Sequence, residues 1–110
     1  MLDETPLHKA CANGHLDVVN YLLEEEISVD VKDAKQVSSL HEASTKGHIE
    51  VVKVLLSWKA RFNMEDKWQV TPLHNAAANG HIDVVMVLVG YGANSNTRDG
   101  WQVDLAATRI

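Results

Sequence analysis

Six histidines stand out first, because imidazole both binds zinc and moves protons near neutral pH. They fall in two series, His8, His41 and His74, and then His15, His48 and His81, with 33 residues between successive members of each. Structural zinc needs about four ligands converging on one point. Equivalent residues of stacked helical units lie roughly 10 Å apart, the distance between packed helices, so this period separates the rings. A repeated structural role is expected, with no metal and no cofactor.

Other reactive groups are sparse. Cys11 is the only cysteine, so no intramolecular disulfide is expected, which fits a reducing, intracellular setting, cytoplasmic or nuclear. It aligns with Ser44 and Ala77, small residues of the same repeat position, and reads as a small buried hydrophobe. There is no nucleophile elbow, no phosphate-binding glycine loop and no evident pair of carboxylates. A non-catalytic chain is expected.

The net charge is -5, with Glu24-Glu25-Glu26 in one cluster and no run of Lys or Arg. Long-range attraction to a phosphate backbone is therefore lacking, and nucleic acid is not expected as a partner. No signal peptide or apolar stretch of membrane-spanning length is visible, so no membrane partner is expected either. Hydrophobic residues make up 45% of the 110 positions, which argues for a packed domain.

The histidines belong to a repeat that runs through most of the chain. Thr5-Pro6-Leu7-His8 returns as Thr71-Pro72-Leu73-His74, and Ser38-Ser39-Leu40-His41 sits midway. Gly14, Gly47 and Gly80 align, each followed by His, as do Val18-Val19, Val51-Val52 and Val84-Val85. Such a period signals stacked supersecondary units that bury their apolar faces against one another. Boundaries fall at about 1–32, 33–65 and 66–98, with a partial unit over 99–110, all in one domain.

The third unit shows how each is built. Thr71 can cap a helix with its hydroxyl, and Pro72 suits the first helical position. This helix carries small residues, Ala76 and Ala77, toward a turn at Gly80. A second helix, from about Ile82 to Val89, carries large ones, and Gly92 suits a left-handed cap at its end. The chain then crosses to a tip near Thr97-Arg98-Asp99-Gly100, with earlier tips near Lys32-Asp33-Ala34 and Glu65-Asp66-Lys67. Adjacent tips are expected to pair as a narrow sheet-like ribbon.

This helix-turn-helix-hairpin unit, with T-P-L-H opening the first helix and G-H-[LI]-[DE]-V-V opening the second, resembles the ankyrin repeat over about residues 1–108. The resemblance implies a mainly α solenoid of paired antiparallel helices joined by β-hairpin-like loops. It assigns the first histidine series to hydrogen bonds with neighbouring loop backbone and the second to the turn between helices. Gln36, Gln69 and Gln102 stand where the family has Gly, which implies strain if φ is positive there. Ser38-Ser39 replaces Thr-Pro, while Glu26 and Lys59 align with Gly92, so the first two units are expected to fray before the third.

In proteins of ankyrin type the concave face of hairpin tips and first helices commonly holds a protein or peptide partner. Mapped here, that face comprises Ala34, Lys35 and Val37, then Lys67, Trp68 and Val70, then Gly100, Trp101 and Val103. Thr45, Lys46, Ala78, Asn79, Tyr91 and Arg98 extend it. Trp68 and Trp101 are equivalent residues of successive tips, where the repeat core requires no large aromatic, and exposed Trp is a common interface anchor. Trp58 is as consistent with packing as with binding, whereas Phe62 is expected between units.

The expected function is a protein-interaction module, and the acidic balance suits a partner with apolar residues and some positive charge. Alternatives are a structural or self-associating segment of a longer array, joined through incomplete end units, or the regulatory region of an enzyme or channel. A natural fragment, a small protein and an engineered binder all fit this repeat pattern, although uneven caps and Gln-for-Gly turns argue mildly against an idealised design.

Overall fold

A computed structural model describes residues 5–93, and the architecture is three helix pairs in series. The first pair is α1 (Pro6–Ala12) and α2 (Leu16–Glu24), the second α3 (Ser39–Lys46) and α4 (Ile49–Ser57), the third α5 (Pro72–Ala78) and α6 (Ile82–Tyr91). The fold is mainly α with no sheet among the described residues. Arg98, Trp101, Gln102 and Val103, with the partial fourth unit, lie outside them.

Each inner helix starts on the same cap. The hydroxyls of Thr5, Ser38 and Thr71 accept from the backbone N–H of His8, His41 and His74 at 3.2, 3.2 and 3.3 Å. Each ring reaches back, its Nδ1 accepting from the cap residue's own N–H at 3.3, 3.1 and 3.0 Å. This reciprocal arrangement is a capping box with His in the place of the usual Glu or Gln. Ser38 does the work of Thr5 and Thr71 without a following proline.

A ring that accepts at Nδ1 carries its proton on Nε2, and that proton crosses to the next unit. His8 Nε2–H donates to the Val37 carbonyl and His41 Nε2–H to that of Val70, both at 2.7 Å. The second series binds backwards across the same junctions: His48 Nε2 donates to the Ala12 carbonyl and His81 Nε2 to that of Thr45, both at 3.0 Å. Two imidazoles therefore bridge each described junction, and the expected tethering role holds for His8, His41, His48 and His81.

Side-chain size sets the shape. The inner row α1, α3, α5 meets through small buried residues, Ala10 and Cys11, Ala43 and Ser44, and Ala76, and these helices pack more intimately than the outer row α2, α4, α6. Unequal approach curves the stack, with the inner row on the concave side. Leu7, Leu40 and Leu73, with Leu23, Leu55 and Leu88, fill the space between rows, each contributing roughly 2–3 kcal/mol of burial. Phe62 packs on this core and faces Gly92, as expected of an inter-unit residue.

Burial changes where a neighbouring unit is missing from the described stack. Val51 is 2% exposed in the middle unit, but its equivalent Val18 is 44% exposed in the first. Similarly, Leu56 is 4% exposed and its equivalent Val89 in the third unit 37%.

Between the two described tips the expected sheet-like ribbon does not form. One isolated bridge joins Lys32 to Ser38, and one hydrogen bond joins adjacent tips, Lys67 N–H to the Lys35 carbonyl at 3.1 Å. The reason is competition for donors. Asp33 Oδ1 takes the N–H groups of Lys35 and Val37 at 2.8 and 2.9 Å, and Asp66 Oδ1 takes those of Trp68 and Val70 at 2.8 and 3.0 Å. Side-chain acceptors of this kind offer the backbone an alternative to a ladder.

Gly47 has φ 76 and a Cβ there would lie 2.5 Å from the His81 ring, whereas Gly80 has φ 77 and open space. Gly80→Ala should cost about 1–2 kcal/mol for the left-handed backbone alone. Gly47→Ala should cost at least about 1 kcal/mol more, because His81 must give up the Thr45 carbonyl; equal losses in urea denaturation would refute that account.

Burial lowers the pKa of His41 below its ordinary 6.5, and the hydrogen bond to the Val70 carbonyl only partly opposes this. The unfolded chain thus binds the proton more readily, so stability falls as pH drops below about 6.5 toward the lower folded value and is unaffected above it. The urea midpoint should decrease between about pH 7.5 and 5.5, with the His41→Gln variant, measured as its own pH series, showing a smaller decrease. An unchanged wild-type midpoint would disprove it.

Candidate functional site

The two described tips are built by one local rule. In each, an Asp carboxylate gathers the second and fourth following N–H groups, and the residue between, Gln36 or Gln69, is driven to φ 64. Its own N–H donates to the Asp carbonyl at 3.0 or 2.9 Å. The strain expected of Gln in a glycine position is therefore present. So is the parallel strain after the outer helices, where Glu26 and Lys59 have φ 68 and 72 while Gly92 adopts φ 113.

This rule determines where the side chains go. With its backbone turned outward by Asp66, Trp68 stands 58% exposed, and the Lys67 ammonium lies over its ring, 5.4 Å from the centroid. A cation in this position is held by the ring quadrupole. Lys35 is exposed on the adjacent tip, bonded to Lys67 through the backbone. Val37 and Val70 are half-buried and their carbonyls receive the histidine bridges, so the same two residues hold the junction and border the tip.

At the far ends of the inner helices the candidates are more scattered. Lys46, Ala78 and Asn79 are exposed, and Asn79 turns its amide onto the Asn75 carbonyl at 2.8 Å. Thr45 is half-buried, its hydroxyl donating to the His41 carbonyl at 2.8 Å while its own carbonyl serves His81. Tyr91 ends α6 in the outer row and is not brought to the inner face. Trp58 follows α4, also in the outer row, and is exposed.

Asp33 and Asp66 are the residues that sequence reasoning passed over. Their signal was available, since Asp recurs at 33, 66 and 99, each time three residues before Gln and four before Val.

Reactive chemistry is not gathered anywhere in this region. Burial pushes the Cys11 thiol up to about 12, with the Ser39 hydroxyl pulling weakly the other way, so the nucleophilic thiolate is not populated near neutral pH. Among the described residues no His, Cys, Asp and Glu group could hold a metal ion, and no helix is long and apolar enough to cross a membrane.

A stack of helix pairs with capped inner helices and projecting loops defines a helical-repeat scaffold. The family follows from comparison. Residues 2–66 match the family model for ankyrin repeats in three copies, and residues 59–107 match the model for ankyrin repeats in many copies. The chain belongs to the ankyrin repeat family, a family of non-catalytic protein-interaction scaffolds.

Among solved structures it is similar to the human ASB11 ankyrin repeat domain, with 36% identity and a TM-score of 0.84. The match covers 86% of this chain and 43% of that one, so the chain spans under half the length of the domain it resembles. No curated protein sequence gives a significant match. A scaffold matched by 487 solved chains names no partner.

Asp66→Ala should release the tip and leave the helices intact. The Trp68 and Val70 amides should exchange with solvent at least about tenfold faster, while Leu40 and Leu73 keep their protection; unchanged exchange at Trp68 would show that Asp66 does not organise the loop.

Proposed function

We propose that this domain binds a protein or peptide partner through its loop tips and concave inner-helix face, with Trp68 as the principal anchor. The observation that carries this reading is the exposure of a large aromatic on a loop whose backbone is fixed by Asp66. Burying an indole on binding removes much apolar area from water, and a pre-ordered loop loses little conformational freedom. Lys35 and Lys67 flank the anchor at the tips and Val37 and Val70 border it, while Thr45, Lys46, Ala78 and Asn79 extend the surface at the far ends of the inner helices. Tyr91 contributes only to a partner that reaches round the end of α6, and Arg98, Trp101 and Val103, outside the described residues, join the proposal through their equivalent positions in the repeat.

A second reading draws on the exposed outer-row valines. Val18 and Val89 have buried equivalents in the middle unit, so each end could cover apolar surface by stacking on further repeats or on another copy. Attachment to an enzyme or channel as a regulatory region is compatible with either reading.

The decisive comparison is the wild-type domain against Trp68→Ala/Trp101→Ala, both confirmed folded by circular dichroism and used to capture partners. Partners should be lost with the variant, and calorimetry against a captured partner should show Trp68→Ala alone weakening binding at least tenfold, about 1.4 kcal/mol. Equal affinity would remove Trp68 as the anchor. Mass that rises with concentration, in partner-free samples, would favour end stacking instead.

A further inference from the structure

The net charge of -5 suggests a basic partner, but the fold distributes that charge unevenly. On the outer row and the loops after it six exposed acids, Asp17, Glu24, Glu25, Glu26, Glu50 and Asp83, stand against three exposed bases, Lys53, Lys59 and Arg61. The inner helices and described tips carry five exposed lysines, Lys9, Lys32, Lys35, Lys46 and Lys67, against one exposed acid, Glu65. The other acids there, Asp33, Glu42 and Asp66, are half-buried. Asp33 and Asp66 are already engaged with two loop N–H groups apiece.

From this we infer that the inner face takes an acidic segment of a protein, with an apolar residue laid on Trp68 and carboxylates flanking it toward Lys35 and Lys67. The inference rests on the surface reading above and adds the partner's chemistry. A carboxylate beside the indole meets an ammonium already held over the ring, 5.4 Å from its centroid, so the lysine needs little ordering to pair. From the tips to Lys46 the inner row runs the length of α3, about 12 Å at 1.5 Å per residue. An extended chain at about 3.3 Å per residue covers that distance in roughly four residues. A short motif with acids on both sides of one apolar residue is thus the minimum that fits.

A polyanion such as single-stranded nucleic acid shares the charge but fits less well. The lysines are spread across three units, and the acidic outer row repels a long phosphate backbone at range. An acidic peptide places its few charges locally and is attracted within a screening length of about 8–10 Å.

The test selects binders from a displayed library of random peptides at near-physiological salt. Selected peptides are then titrated by fluorescence anisotropy against the wild type, Trp68→Ala and Lys35→Glu/Lys67→Glu, with a poly-dT oligonucleotide in parallel. The expected peptides are rich in Asp and Glu around a Leu or aromatic residue, lose at least tenfold in affinity with either variant, and lose affinity as salt rises. Peptides that depend on Trp68 but are neutral or basic would overturn the charge inference and leave the surface reading standing. Binding indifferent to Trp68, or no selection, would overturn both. Poly-dT binding tighter than any peptide would overturn the protein occupant.

Discussion

Everything in this domain hangs on an imidazole that faces two ways. His41 closes the cap of its own helix through Nδ1 and tethers the next unit's loop through Nε2, and His8 does the same one unit earlier. Only the neutral ring with its proton on Nε2 makes both bonds, since a doubly protonated ring would turn Nδ1–H against the Ser38 N–H. Helix initiation and unit stacking therefore depend on one protonation state. Burial of the ring enforces that state, and the tight approach of Gly47 to His81 keeps the return bridge in place.

The same bridges explain how a short-range fold presents a stable surface. A carbonyl that receives the histidine proton belongs to Val37 or Val70, the last residue of a tip. At the other end of the tip, Asp33 or Asp66 gathers the N–H groups. Each tip is thus clamped from within by its aspartate and from behind by the preceding unit's histidine. Left-handed Gln36 and Gln69 are tolerated because the clamps over-determine the loop. Strain at each projecting loop is thus offset by the junction behind it.

What could be read from the sequence divides along that line. The 33-residue spacing, the Thr-Pro-Leu-His caps and the size contrast between Ala76 and Leu88 all reflect local propensity or burial, and the helices stand where those signals put them. The tethering histidines were legible because their period separates them. The ribbon was misread because two extended stretches flanking a turn look the same whether a ladder or an aspartate takes the amides. Only the positions of Asp33 and Asp66 relative to the Gln and Val that follow distinguish the two outcomes. The placement of Tyr91 away from the inner face likewise needed the rows themselves, since alignment alone gives equivalence between units and not which side of the stack a residue occupies.

Charge shows why composition is a poor guide to a partner here. The acids of the outer row answer a local demand: Asp17, Glu50 and Asp83 lie in the first turns of their helices, where the dipole favours negative charge. The inner helices are initiated by hydroxyl and imidazole instead, and Lys9 and Lys46 lie in the last turns of α1 and α3, where positive charge is favoured. Helix electrostatics alone thus favours lysine at the ends of the inner helices and acids at the starts of the outer ones; antiparallel pairing brings these ends together at the turn between helices, so the two charges are separated by row and not by end. The net value averages over this separation, and each row presents its own balance of charge.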